Sequence, residues 1–221
     1  MAYLLFIIIS VVSWLVQRKL TSKFEKYSKV QLSMTGAQVA QMMLMQNGIN
    51  DVGIRPTSGT LTDFFDPSCK TVNLSEAVYN RPTVAAAAVA AHECGHAVQH
   101  KVGYSMLTLR TKLVPAVSFA SQWVSWVLLA GILLVEAFPY ILMLGVLLFA
   151  VTTLFSIITL PVEINASRRA VQWLERAGIT QGQTTTYARD ALKAAAYTYV
   201  AAALGSMATL VYYGQMLFRR S

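Results

Sequence analysis

Apolar residues gather in four long runs separated by two polar segments. The runs are 1–16, 114–135, 138–160 and 194–218. A helix rises 1.5 Å per residue and the hydrocarbon core of a bilayer is about 30 Å thick, so about 20 apolar residues cross it. The last three runs meet that length unaided, and the first is a short amino-terminal anchor. Only Glu136 and Ala137 separate the second run from the third. That leaves room for a tight helical hairpin, whose two spans must be antiparallel.

The polar segments carry other periodicities. Thr35 to Gln46 reads as a helix closed by Asn47-Gly48. Ile49 to Arg55, Gly59 to Phe65 and Lys70 to Leu74 read as short strands, the last two joined by the turn Asp66-Pro67-Ser68-Cys69. An alanine-rich helix follows, with Asn80 as its N-cap, Pro82 in its first turn and Val102-Gly103 at its end. Beyond the third run, Pro161 opens or kinks a helix that ends at Gly178. Five regions are expected: an anchor over 1–16, an α+β module over 17–113, a transmembrane hairpin over 114–160, a helical segment over 161–193, and a last span with its tail over 194–221.

Composition and charge fix the setting. Hydrophobic residues make up 55% of the chain and charged ones only 13%, the balance of an integral membrane protein. The first run lacks a basic start and a clean small-x-small cleavage site, and Arg18, Lys19, Lys23, Lys26 and Lys29 follow it, as in a retained anchor. With four spans, sixteen of the eighteen Lys and Arg residues fall on one side. The positive-inside rule makes that side cytoplasmic, in a multi-pass protein of the cell membrane. The net charge of +8 then reflects topology and attraction to lipid. There is no nucleic-acid motif, no phosphate-cradling glycine loop and no repeat. Two cysteines, Cys69 in a turn and Cys94 in a helix, do not make a disulfide framework, and the Met42, Met43, Met45 cluster reads as packing. Ala201 and Gly205 have small-xxx-small spacing, which serves either packing within the chain or an oligomer contact.

The chemistry lies in Ala91-His92-Glu93-Cys94-Gly95-His96. On a helix, residues four apart share a face, so His92 and His96 can hold one metal ion, and Glu93 beside them can act on a water at that ion. All three histidines of the chain fall in this window. His100 continues the series but lies about 12 Å along the axis from His92, too far for a common ion, and is expected near the site or at the surface. Catalytic zinc takes a third protein ligand. The expected topology places both large polar segments on one side, which leaves Glu163 and Glu175 as the carboxylates able to approach. Glu163, at the edge of the third run, is the better placed, because an ionised side chain there needs a partner or a metal.

These residues carry a resemblance. The H-E-x-x-H helix, a later Glu-x-x-Ala segment and the surrounding spans look like the gluzincin-type membrane peptidases, including the HtpX-like and CAAX prenyl protease families. More closely, Met34-Thr35-Gly36-Ala37, Leu61-Thr62-Asp63-Phe64-Phe65-Asp66-Pro67, Leu74-Ser75-Glu76-Ala77-Val78-Tyr79, the segment 91–97 and Glu163 through Ala170 resemble the YugP-type neutral zinc metallopeptidases. The resemblance implies Zn2+ held by His92, His96 and Glu163, with Glu93 as the catalytic acid and base. It departs from the wider gluzincin pattern at Ser167, where an Asp would orient a ligand imidazole. A hydroxyl does this more weakly, and Asn165, Asp63 and Asp66 are the other candidates.

The fold expected is mainly α and integral to the membrane, with about four transmembrane helices and a small zincin-like α+β module bearing the H-E-x-x-H helix. The function expected is hydrolysis of peptide or membrane-protein substrates at the cytoplasmic membrane face, in a quality-control setting. The rival readings are a zinc-containing scaffold or chaperone-like adaptor without turnover, and a hydrolase of lipids. Tyr79, Tyr104, Arg168 and Arg169 are candidates for stabilising a tetrahedral oxyanion. If Lys70 to Leu74 is an exposed edge, Thr71, Val72 and Asn73 can pair with an extended substrate. A homo-oligomer or a membrane regulatory partner is left open.

Overall fold

The computed structural model describes residues 2–218; Met1 at the start of the first run and Arg219, Arg220 and Ser221 of the tail lie outside the described residues. The chain is mainly helical. Four helices are long and apolar enough to cross a membrane: α1 (Ala2–Tyr27), α5 (Ser105–Leu133), α6 (Pro139–Arg176) and α7 (Gln183–Phe218). Their outer faces carry Leu4, Ile7, Trp126, Leu133, Leu147 and Leu204 in the open, which water would penalise and lipid accepts. Each helix outruns its hydrophobic run. α1 continues eleven residues past Val16 with Lys23 bound to Asp190 of α7, and α6 passes through Pro161 unbroken. The boundaries expected at 16, 113, 160 and 193 therefore fall inside helices. Hydropathy marks where a helix meets the bilayer, and tertiary packing on the polar side decides where it ends.

The hairpin of α5 and α6 turns within Leu134–Phe138. A Cβ on Gly131 would lie 2.6 Å from the Leu142 Cα, so only glycine lets the two backbones approach so closely. Gly205 of α7 faces Ile9 of α1 at 3.1 Å from where its Cβ would stand, so that small-residue face packs within the chain.

The polar end holds α2 (Gly36–Gln46), β1 (Gly53–Thr57), β2 (Phe64–Asp66), β3 (Thr71–Ser75), α3 (Glu76–Tyr79) and α4 (Val84–Lys101). Thr35 caps α2 through the Gln38 N–H, and the Gln38 side chain returns the bond to the Thr35 N–H, a reciprocal capping box. Thr83, not Asn80, caps α4; Asn80 ends the short α3 instead. Ala85 to Ala88 of α4 are fully buried, and α2, α6 and α7 pack around that helix. Small side chains are what allow one helix to be enclosed on so many sides.

The sheet order is β1-β3-β2, with β1 parallel and β2 antiparallel to β3. This corrects the edge expected at Lys70 to Leu74. Thr71, Val72 and Asn73 lie in the central strand, with both hydrogen-bonding edges already occupied by Gly53 to Arg55 on one side and Phe64 to Asp66 on the other. No further strand can add there; the outer edges of the sheet belong to β1 and β2.

Candidate metal centre

α4 presents His92 and His96 one turn apart, and α6 brings Glu163 to meet them. Glu163 Oε2 stands 3.2 Å from His92 Nε2 and 3.5 Å from His96 Nε2. One donor atom from each residue lies within 4.8 Å of the others. Ligands held tetrahedrally at the usual zinc distances of about 2.0–2.1 Å sit about 3.3 Å apart. The donor set and its spacing therefore fit a zinc ion. The approach of α6 depends on Gly95, since a Cβ there would lie 2.8 Å from the Ala166 carbonyl oxygen.

The other imidazole nitrogens are engaged as a metal site requires. Ser167 Oγ lies 3.1 Å from His92 Nδ1, one turn along α6 from Glu163. Gln99 Oε1 lies 3.0 Å from His96 Nδ1. The Gln99 amide donates to the Val162 carbonyl at 2.8 Å and the Asn165 Oδ1 at 3.0 Å, so its oxygen is the atom left to accept from His96. With Nδ1 protonated in each ring, both Nε2 lone pairs face Glu163 and the ion's place. Asn165 thus reaches His96 through Gln99, and also holds Arg169, whose Nε donates to its Oδ1 at 2.8 Å.

Glu93 is buried, and its Oε2 accepts the Phe65 N–H of β2 at 3.1 Å. Burial pushes its carboxyl up; the two imidazoles pull it back only in part, and Glu163 and Asp63 push with burial. Burial lowers His96, but its bond to Glu163 and the charges of Glu93 and Glu163 outweigh that and leave it above its ordinary value. The same excess of negative charge favours a metal cation. Asp63 is raised by burial despite accepting the Ser75 N–H at 2.7 Å, and it lines a cavity of about 170 Å³ with His92, Glu93 and Tyr199.

The remaining expected residues lie elsewhere. Tyr79 packs beside β1 and α2, Tyr104 precedes α5, Arg168 faces a different cavity between α6 and α7, and none of Tyr79, Tyr104, Arg168 and Arg169 lines the cavity at His92. His100 is exposed, its ring 6.0 Å from that of Phe65. Glu175 is exposed and Asp66 is tied up in its own turn with the Ser68 and Cys69 N–H groups. Cys94 is buried against the Ala40 carbonyl, and burial pushes its thiol far up, as suits a packing residue. Three residues at the site were not anticipated. Gln99 lies one turn from His96, a spacing that could have revealed it. Arg110 of α5, 3.4 Å from Glu163 Oε1, and Tyr199 of α7 arrive by tertiary packing alone.

A helical protein with four candidate membrane spans and a His-His-Glu cluster beside a buried glutamate has the donor set of a membrane protein that holds zinc. The chain matches, over residues 2–218, the family described as "putative neutral zinc metallopeptidase", and it belongs to that family, whose cofactor is Zn2+. It is 45% identical over 201 residues to the "Putative membrane protease YugP" of Bacillus subtilis, an alignment covering 90% of this chain and 88% of that one. No solved structure matches it.

Proposed function

We propose that the protein is a zinc-dependent endopeptidase of gluzincin type that cuts peptide or membrane-protein substrates at the cytoplasmic face of the cell membrane, in the turnover of faulty membrane proteins. The observation that carries this reading is the convergence of His92 Nε2, His96 Nε2 and Glu163 Oε2 beside the carboxylate of Glu93. Those three would hold the zinc. When bound, it polarises the scissile carbonyl and acidifies a water. Glu93 takes the proton of the attacking water and passes it to the leaving amine nitrogen. The Phe65 N–H holds Oε2, which leaves Oε1 for that proton. Ser167 and Gln99 keep the imidazoles turned, and Arg110 balances the charge of Glu163. The Tyr199 hydroxyl, on the wall of the same cavity, would donate to the developing oxyanion.

The free edge of β2 takes the substrate role once expected of its neighbour. The Phe65 N–H on that edge is held by Glu93, so an extended chain laid along the edge runs past the catalytic carboxylate. The charge pattern supports the cytoplasmic side, and a site at the border of the spans supports substrates drawn from the bilayer.

Glu93→Gln should keep one zinc per chain and lose cleavage of casein or a quenched peptide. Glu163→Ala should lose tight zinc binding, whereas His100→Ala should not. Wild-type protein with zinc bound and no chelator-sensitive proteolysis on unfolded or membrane substrates would favour the adaptor.

A further inference from the structure

A second cavity, of about 490 Å³, lies between α6 and α7, beside the candidate metal centre. Arg168, Arg189 and Lys193 line it, and no carboxylate does. None of the three forms an ion pair among the described residues. The acidic residue next to Arg189, Asp190, is turned away and held by Lys23 and Tyr27 of α1. Lys193 instead rests on the Tyr197 ring, 5.8 Å from its centroid. Three unpaired cations around one cavity create a standing demand for an anion.

The cavity is also graded along the helices. α6 and α7 run antiparallel, so Arg168 and Arg189 lie toward the polar end while Ile164 and Val200 lie toward the apolar spans. Arg189 and Val200 are eleven residues apart on one helix, about 16 Å along its axis. That is the scale of a phospholipid headgroup with the start of its acyl chains. A free phosphate would have no use for the apolar half, and a soluble acidic peptide would leave that half unfilled.

We infer that this cavity is a binding site for an anionic phospholipid, with Arg168, Arg189 and Lys193 around the phosphate and the acyl chains laid along Ile164 and Val200. Ser167 lines the same cavity while its Oγ meets His92, so the bound lipid borders the candidate metal centre and ties it to the bilayer surface. Near a membrane each Lys or Arg contributes about a factor of five in affinity for anionic lipid.

The test uses the full chain, zinc-loaded, in a zwitterionic detergent, titrated calorimetrically with dihexanoyl-phosphatidylglycerol, dihexanoyl-phosphatidylcholine and inorganic phosphate. Saturable binding of the phosphatidylglycerol alone is expected. The triple substitution Arg168→Gln, Arg189→Gln, Lys193→Gln should weaken it on the order of 100-fold. The pair Lys29→Gln, Lys112→Gln should leave it within twofold, and zinc content should stay at one per chain throughout. If the triple variant loses zinc and with it the fold, Lys193→Gln alone, expected to cost about fivefold, carries the test. Equal binding of the two lipids, displacement by phosphate as effective as by lipid, tighter binding of an acidic peptide, or triple and Lys193 variants with unchanged affinity would each overturn the inference. Zinc content and cleavage are read separately, so failure here leaves the peptidase reading standing.

Discussion

Replacing Gly95 with alanine tests the closest contact in the site. The added Cβ would stand 2.8 Å from the Ala166 carbonyl oxygen and 3.2 Å from its Cα, both backbone atoms that cannot rotate aside. Ordinary contact begins near 3.4 Å, so α4 and α6 must part by about 0.6 Å at this point. Metal ligands tolerate displacements of about 0.2 Å. The same substitution removes a helix-interior glycine, worth about 1 kcal/mol in favour of the variant, against about 1–3 kcal/mol for overpacking. Thermal stability is therefore a poor reporter, because the two effects oppose each other. Zinc affinity is the good one, since His92 and His96 ride on α4 and Glu163 on α6. Competition against a chelator of known affinity should show a loss of about 10- to 100-fold. Gly214→Ala, whose Cβ would meet nothing within 4 Å, should show none. Gly95→Ala with wild-type zinc affinity would refute the claim that the metal's place is set by the spacing of these two helices.

Three further outcomes follow from individual contacts. Ser167→Ala removes the partner of His92 Nδ1 and should weaken zinc binding about tenfold, with Ser167→Asp restoring it, as read by the same competition. Gln99→Leu leaves the His96 N–H and the Val162 carbonyl buried without their partner, and should lower the midpoint of detergent unfolding by the equivalent of about 2 kcal/mol. Asp63→Asn keeps an oxygen for the Ser75 N–H and relieves a carboxylate that burial disfavours, so it should be nearly neutral in the same unfolding assay, whereas Asp63→Ala should cost about 1–3 kcal/mol.

The spans and the H-E-x-x-H helix were legible because hydrophobic length and i, i+4 spacing are local properties. Glu163 was within reach because a carboxylate at the end of an apolar run is physically conspicuous. Arg110 and Tyr199 carried no such mark; each is an ordinary residue on a long helix, brought to Glu163 by how α5 and α7 lean on α6. The place of β3 was misread for a related reason. Thr71-Val72-Asn73-Leu74 alternates as a half-buried strand should, but alternation reports faces and says nothing about which strands flank it. That order is set by the parallel pairing with β1, made possible by the long excursion through β2. The extents of α1 and α7 were underestimated because their charged turns look like loop in hydropathy, while in space Lys23 reaches Asp190 and Lys19 reaches the ring of Tyr197.

One helix joins the membrane to the candidate centre, and its continuity explains why a carboxylate can sit where it does. Proline inside a helix costs about 3 kcal/mol in water, yet α6 continues through Pro161, where α4, α5 and α7 pack along the helix and help to hold the chain helical. Two residues later comes Glu163, only 2% exposed at the end of an apolar span. An ionised group at such a depth is expensive unless opposed. Here the Arg110 guanidinium faces one oxygen, and the other faces the place between two imidazoles where a cation would sit, so the charge is opposed on one side by the chain and on the other by the metal it would hold. The inward face of α6 accordingly changes character along its length, from Leu142 and Gly145 against α5 to Glu163 and Ser167 against α4. Since the same rigid rod bears the lipid-facing residues, the depth of Glu163 relative to the bilayer is fixed by the span itself, and the cluster cannot rise into water or sink into lipid without dragging the whole hairpin with it.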